Sequence, residues 1–143
     1  MNWNKSTRLG LYAALEMARA PDRLVTKGEI ASRYRVSAHH LSKVLQQLVR
    51  SGLARAVAGV AGGYRLAKPA KSITLLDVVE VFEGKLELQR CLLADDGADP
   101  CGALAACRLK RVFDEIEHQA YFTLKSIPLS SLVETAAPAR GKA

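Results

Sequence analysis

The chain has 143 residues, 49% of them hydrophobic, with a mean hydropathy near zero, the profile expected of a soluble globular protein large enough to bury one core. No apolar run approaches ~20 residues and no charged-then-apolar leader opens the sequence, so membrane insertion and export are not expected and a cytoplasmic location is. The net charge of +7 is unevenly held: residues 1–70 carry 12 Lys/Arg against 3 Asp/Glu, whereas residues 71–143 carry 9 against 11. A basic half of this kind favours a polyanionic partner, because each neutralised phosphate releases counterions.

In chain order, Ser6-Thr7 precede LGLYAALEMA, a predicted helix with Leu11, Leu15 and Ala18 on one stripe. Pro21 breaks it. Thr26 and Glu29 have capping-box spacing and predict a second, short helix, KGEIASRYR, with Ile30, Ala31 and Tyr34 on its apolar side. After a tight RVS turn, Ser37 is the expected N-cap of AHHLSKVLQQLVRSG. Leu41, Val44, Leu45, Leu48 and Val49 mark the buried face of that helix, and Gly52 its end.

Two short extended runs follow, LARAVA and YRLA, separated by GVAGG. Glycines at 59, 62 and 63 are expected to turn the backbone at positive φ, giving a hairpin. Ser72 or Thr74 starts a further amphipathic helix, LLDVVEVFEG, stopped by Gly84. Residues 94–103 are turn-rich. From about Leu104 to about Ser126 runs a long helical pattern ending at Pro128, with Leu109, Val112, Phe113, Ile116, Ala120, Phe122 and Leu124 as apolar positions. About twenty residues make a helix ~30 Å long, more than so small a body covers alone, so a second copy is the simplest partner for its stripe.

Two short helices, a tight turn and a helix polar on its outward face follow helix-turn-helix logic, and the glycine-tipped basic hairpin behind them reads as a wing. The fold class is therefore mainly α: a winged helix-turn-helix with a small β-hairpin wing and a long C-terminal dimerisation helix. The expected boundaries are 1–84 for the DNA-binding unit, 85–103 for a cysteine-containing sensor loop, 104–127 for the dimerisation helix and 128–143 for a C-terminal segment and flexible tail. Ser37, His39, His40, Lys43 and Gln46 have donor chemistry for base or phosphate contacts, Arg55 and Arg65 on the hairpin suit phosphates, and Gly62-Gly63 form the wing tip.

The segments YRVSAHHLSKVLQQLVRSGL, AGVAGGYRLAKPAKSITLLDVVEVFEG and ACRLKRVF together resemble the Rrf2 family of winged-helix repressors, in particular its iron–sulfur members of the NsrR and IscR type. The resemblance runs from about residue 5 to about residue 133. It implies a homodimer through the long helix, bound to double-stranded DNA at an imperfect palindrome.

Cys91, Cys101 and Cys107 are the only cysteines. An odd count argues against a disulfide scaffold, and the spacings of nine and five intervening residues are not those of a zinc ribbon. Cys101 is expected just before the long helix, where the macrodipole favours a thiolate; Arg90, Arg108, Lys110 and Arg111 add positive charge. The resemblance implies that Cys91, Cys101 and Cys107 ligate an iron–sulfur cluster, 2Fe–2S or 4Fe–4S, sensing nitric oxide, iron or redox status. The family's fourth-ligand positions fall at Arg8 and Lys110, which are poor ligands while protonated. That leaves Asp95, Asp96 or Asp99, a group from the partner's first helix, or a small exogenous ligand. A metal-free thiol switch or a zinc site would keep the DNA reader, and an iron–sulfur carrier whose basic half docks an acidic protein is the third reading. Catalysis is not expected: no Ser/His/Asp arrangement or catalytic carboxylate pair is visible, and GVAGG lacks the lysine of a phosphate-binding loop.

Overall fold

The computed structural model describes residues 2–86, Leu93, Gly102 and 106–133. Helix α1 spans Lys5–Arg19 and starts four residues before the predicted LGLYAALEMA segment, because Asn4 is its cap. The Asn4 Oδ1 accepts from the Thr7 amide at 2.8 Å and from the Thr7 hydroxyl at 3.1 Å, which satisfies one of the helix's orphan N–H groups. The first turn of α1 contains no acidic residue. Glu83 supplies one from elsewhere in the chain, accepting from the Asn4 amide at 3.0 Å and from the Thr7 hydroxyl.

Thr26 and Glu29 form the predicted capping box of α2 (Lys27–Tyr34). Arg35 then adopts a left-handed conformation, φ 51 and ψ 47, and turns the chain into α3 (Ala38–Arg50). Ser37 holds the N-cap position of α3, but its side chain makes no capping hydrogen bond. Leu41, Val44, Leu45 and Leu48 are buried as the periodicity predicts, and Gly52 follows the helix at φ +82.

Strands β1 (Ala54–Val57) and β2 (Gly63–Leu66) pair antiparallel, with Arg55 opposite Arg65 and Val57 opposite Gly63. Val25 adds a rung on the far side of β2 through two 2.8 Å hydrogen bonds with Tyr64. Only Gly59 of the three loop glycines has a positive φ, +106. Gly62 and Gly63 are needed for space instead: a Cβ on Gly62 would lie 2.1 Å from the Val57 carbonyl oxygen, and one on Gly63 would lie 2.8 Å from the Val25 carbonyl oxygen.

Thr74, rather than Ser72, caps α4 (Leu75–Glu83), in a capping box with Asp77, and Gly84 ends the helix at φ +77. The long helix α5 spans Arg108–Ser126 with Cys107 as its N-cap. The cysteine at the start of that helix is thus Cys107; Cys101 lies outside the described residues, as does the tail 134–143. The end of α5 is tied to the start of α4, where Leu75 donates to the Ile127 carbonyl at 3.0 Å and Leu129 donates to that of Ile73 at 2.8 Å.

The core lies between α1, α2, α3 and the segment leading into α4. Leu9, Ala13, Ala14 and Met17 of α1 meet Ile30, the α3 leucines, Ile73, Val78 and Leu129. A second, smaller cluster joins Leu76 and Val79 of α4 to Leu124 of α5, flanked by Trp3 and Leu11. The chain is therefore mainly helical with one two-stranded antiparallel sheet, a winged helix-turn-helix. Among the described residues no helix is long and apolar enough to cross a membrane.

Helix α4 approaches α1 closely at Gly10, where an added Cβ would lie 2.2 Å from Cε2 of Phe82. In an open helix Gly→Ala would gain up to ~1 kcal/mol of propensity, whereas forcing an extra carbon into packed surroundings costs ~1–3 kcal/mol. Gly10→Ala is expected to lower the urea midpoint, and Gly10→Ala with Phe82→Leu to recover part of the loss. An unchanged or raised midpoint in the single variant would show that the ring yields freely.

Candidate DNA interface and cysteine site

Helix α3 is held out by the two helices beneath it. Glu16 of α1, whose side chain is 12% exposed, accepts from the Tyr34 hydroxyl at 2.6 Å, from Arg19 at 2.5 Å and from Arg33 at 3.3 Å. The Tyr12 and Tyr34 rings lie 4.9 Å apart on the same seam. Lys27 at the start of α2 donates to Ser42 Oγ of α3 at 3.0 Å, and Ser42 in turn donates to the Ala38 carbonyl. A lysine in the first turn of a helix opposes the macrodipole. That local misfit is the only sequence signal for Lys27, which sequence reasoning passed over.

On the outward face of α3, His39, Lys43, Gln46, Gln47 and Arg50 are exposed, with Ser37 exposed just ahead of them. The Ser37 hydroxyl is free of capping duty and so available to a phosphate or base. His40 differs from its neighbours: it is half-buried, and its Nε2 is shielded from solvent without a hydrogen-bond partner. Arg55 and Arg65 are both exposed and directly opposed across the wing. In an antiparallel pair such partners project from the same face. The structure therefore puts His39, Lys43 and Gln46 on one helix with Ser37 at its N-cap, and Arg55, Arg65, Gly62 and Gly63 on the adjoining hairpin, all within the basic half of the chain.

Of the three cysteines only Cys107 is described. It is half-buried, and its Sγ accepts from the Lys110 amide at 3.4 Å, so the sulfur sits against the positive end of α5. That setting suits a sulfur carrying negative charge, as a metal-bound thiolate does. Lys110 is 7% exposed and its ammonium is paired with Asp114 one turn on. The His118 Nδ1 lies 2.8 Å from the Asp114 carbonyl oxygen, and eleven residues of unbroken helix, ~16 Å along the axis, separate it from Cys107. Cys91, Cys101, Asp95, Asp96 and Asp99 lie outside the described residues. Among the described residues no three His, Cys, Asp or Glu side chains gather as a metal site.

Comparison with known proteins bears on both surfaces. A family model described as Rrf2, iron-dependent transcriptional regulator, matches residues 3–135. The chain is 43% identical over 135 residues to a Rhodopseudomonas palustris protein named HTH-type transcriptional regulator BadM, covering 94% of this chain and 82% of that one. Among solved structures it is similar to T. potens IscR, with a TM-score of 0.76, 26% identity and coverage of 99% and 94% of the two chains. It also shares its fold with CymR, the global cysteine regulator of B. subtilis, with a TM-score of 0.75, 23% identity and coverage of 93% and 96%.

The Glu16 seam carries its own test. Burial, and then the hydrogen bond and charge of Glu16, raise the Tyr34 phenol above its ordinary value of 10.0. Because the folded value is the higher one, this contribution to stability is complete below about pH 10 and is lost as pH rises through the folded value. Tyr34→Phe is expected to soften the alkaline fall in thermal midpoint; superimposable alkaline limbs for the two proteins would show that the phenol contributes nothing.

Proposed function

Because the chain belongs to the Rrf2 family of transcriptional regulators, we propose that it is a cytoplasmic, homodimeric DNA-binding repressor whose operator affinity is set by an iron–sulfur cluster on Cys91, Cys101 and Cys107. The observation that carries the DNA reading is the exposed, cationic and amide-bearing face of α3 set beside the opposed arginines of the wing. The N-terminal part of a recognition helix meets base edges in the major groove, which assigns base contacts to His39, Lys43 and Gln46 and phosphate contacts to Ser37, Arg55 and Arg65. His40, with Nε2 turned away from solvent, is better suited to packing than to readout.

A second copy is called for by α5. Leu109, Val112, Phe113 and Ile116 share one side of the helix and are 43–60% exposed, a stripe that neither α4 nor the core covers. A two-fold dimer through this stripe would present two α3 helices to half-sites about 34–36 Å apart, hence an imperfect palindrome.

The cluster reading is supported by the N-cap position of Cys107 and by the likeness to IscR. When bound, the cluster would supply a redox- and nitric-oxide-reactive centre, 2Fe–2S or 4Fe–4S, beside the start of α5. Lys110, held by Asp114, and the exposed Arg8 do not offer the fourth ligand. We assign that position to the partner subunit's first helix or to a small exogenous ligand, ahead of an acidic loop residue (Asp95, Asp96 or Asp99). The coupling required is modest, since ~1–3 kcal/mol changes affinity ~5–150-fold. A metal-free thiol switch or a zinc site is the second reading, favoured by the shared fold with CymR, of which an oxidized form from Staphylococcus aureus is known (TM-score 0.73, 23% identity, coverage of 94% and 97% of the two chains).

Two measurements test these readings. Lys43→Ala and Arg65→Ala are expected to weaken DNA binding, and loss of a pure phosphate contact flattens the salt slope by about one unit, whereas loss of a base contact relaxes one position by ~1–3 kcal/mol. Wild-type affinity in both at several salt concentrations would move the DNA surface elsewhere. Anaerobically purified protein should be coloured, and replacing any one of Cys91, Cys101 or Cys107 by Ala should bleach most of the visible absorbance. A single variant that keeps its spectrum and iron identifies a cysteine that is not a ligand, and a colourless wild type favours the thiol or zinc reading.

A further inference from the structure

The wing carries two features that its architecture alone does not require. Arg55 and Arg65 oppose each other across the two strands and are both exposed, an arrangement of like charges that destabilises a sheet unless an anion lies between or beside them. Beyond them, the segment Ala56 to Gly63 contains no side-chain hydrogen-bond donor or acceptor. Its outer face continues from the arginines to Val57, which is 47% exposed and opposite a glycine, and then to Val60, which is fully exposed at the apex. A 3.0 Å hydrogen bond from the Gly62 amide to the Gly59 carbonyl closes the turn beneath Val60. The crowding of Gly62 against Val57 keeps that turn narrow.

We infer that Val57 and Val60 enter the DNA minor groove between phosphates held by Arg55 and Arg65, and that they select against guanine there. The inference rests on the DNA-binding reading and adds a specificity determinant to it. The reach agrees with the depth. Two strand residues advance ~7 Å, so in a minor groove ~7.5 Å deep, opened beyond its resting ~6 Å width to admit the hairpin, arginines at the phosphate rim place the valines near the floor. The opposed arginines match the paired negative rims in charge. A tip of methyl groups cannot read a base by hydrogen bonding, but it can exclude one. The 2-amino group of guanine projects into the minor groove, and no A·T pair has an equivalent donor. Pressed against valine, that amino group loses its water and gains no partner. The wing thereby favours A·T over G·C while α3 reads the major groove.

Alternating inosine–cytosine and guanine–cytosine duplexes separate these contributions, since the two present the same major-groove edges and differ in the minor-groove amino group. At fixed salt, the wild type is expected to bind the inosine duplex at least about fivefold more tightly, the lower end of the effect of one unfavourable base pair. Val57→Ser with Val60→Ser should bring the ratio close to unity at unchanged thermal midpoint, whereas Arg65→Ala should weaken both duplexes and leave the ratio intact. Equal binding of the two duplexes by the wild type would overturn the inference while leaving the DNA-binding reading in place. So would a preference that survives the double valine variant, which would then belong to duplex flexibility. Failure to bind either duplex even at low salt, where phosphate contacts alone hold a basic DNA reader, would overturn the DNA-binding reading and this inference with it.

Discussion

The closeness with which α1 is approached from several sides governs the rest of the fold. Gly10, Ala13, Ala14 and Ala18 keep the face around the buried Met17 low, so α3, α4 and β2 can all pack close to one central axis. The ends of α1 are held by carboxylates. Glu83 caps its N-terminus from α4, and Glu16 in its penultimate turn grips Tyr34, Arg33 and Arg19. A carboxylate is disfavoured at the C-terminal end of its own helix and favoured at the N-terminal end of another, so Glu83 is stabilised by α1 in a place where α4 alone would not want it. Each contact is modest taken singly. Together they make α1 the common support of the α2–α3 pair and of the helix that leads into the cysteine-bearing segment.

What was legible in the sequence is what is local. The Thr26–Glu29 box, the buried face of α3, the wing strands and the stop at Gly84 depend on residues within a turn or two of each other, and each is found. The start of α1 was misplaced because apolar periodicity begins at Leu9, whereas the helix begins where Asn4 can cap it and Glu83, seventy-nine residues away, can complete the cap. Gly62 and Gly63 were correctly picked out as special positions but for the wrong reason. Carbonyl groups of Val57 and Val25 crowd them, and contact of that kind is invisible to turn propensities. Cysteine is not a preferred capping residue, so the helix formers around Leu104 drew the predicted start of α5 upstream of Cys107.

The candidate DNA surface was legible as a list of residues more than as an arrangement. Polar spacing along α3 picks out His39, Lys43 and Gln46, which are exposed, yet it could not separate them from His40, which a shift of one residue around the helix half-buries. Nor could it show Lys27 reaching across to Ser42. The charge asymmetry between the halves of the chain was visible from composition; the cross-strand pairing of Arg55 with Arg65 needed the register.

Helix α5 is anchored unevenly. Its C-terminal end is hydrogen-bonded to the start of α4 through Ile127 and packed there through Leu124, while at its other end Lys110 alone is buried among the described residues. Nineteen residues make a rod ~28 Å long, fixed at the Thr74–Pro128 bridge and carrying Cys107 at the far tip. Within one protomer a rod held this way is a lever: a tilt of about 10° at the pivot sweeps the tip through ~5 Å over that length, and in the proposed dimer the copy packed on Leu109, Val112, Phe113 and Ile116 would turn with it. The reverse also holds, so several ångströms of displacement at the sulfur arrive at the α4 junction as a rotation of a few degrees.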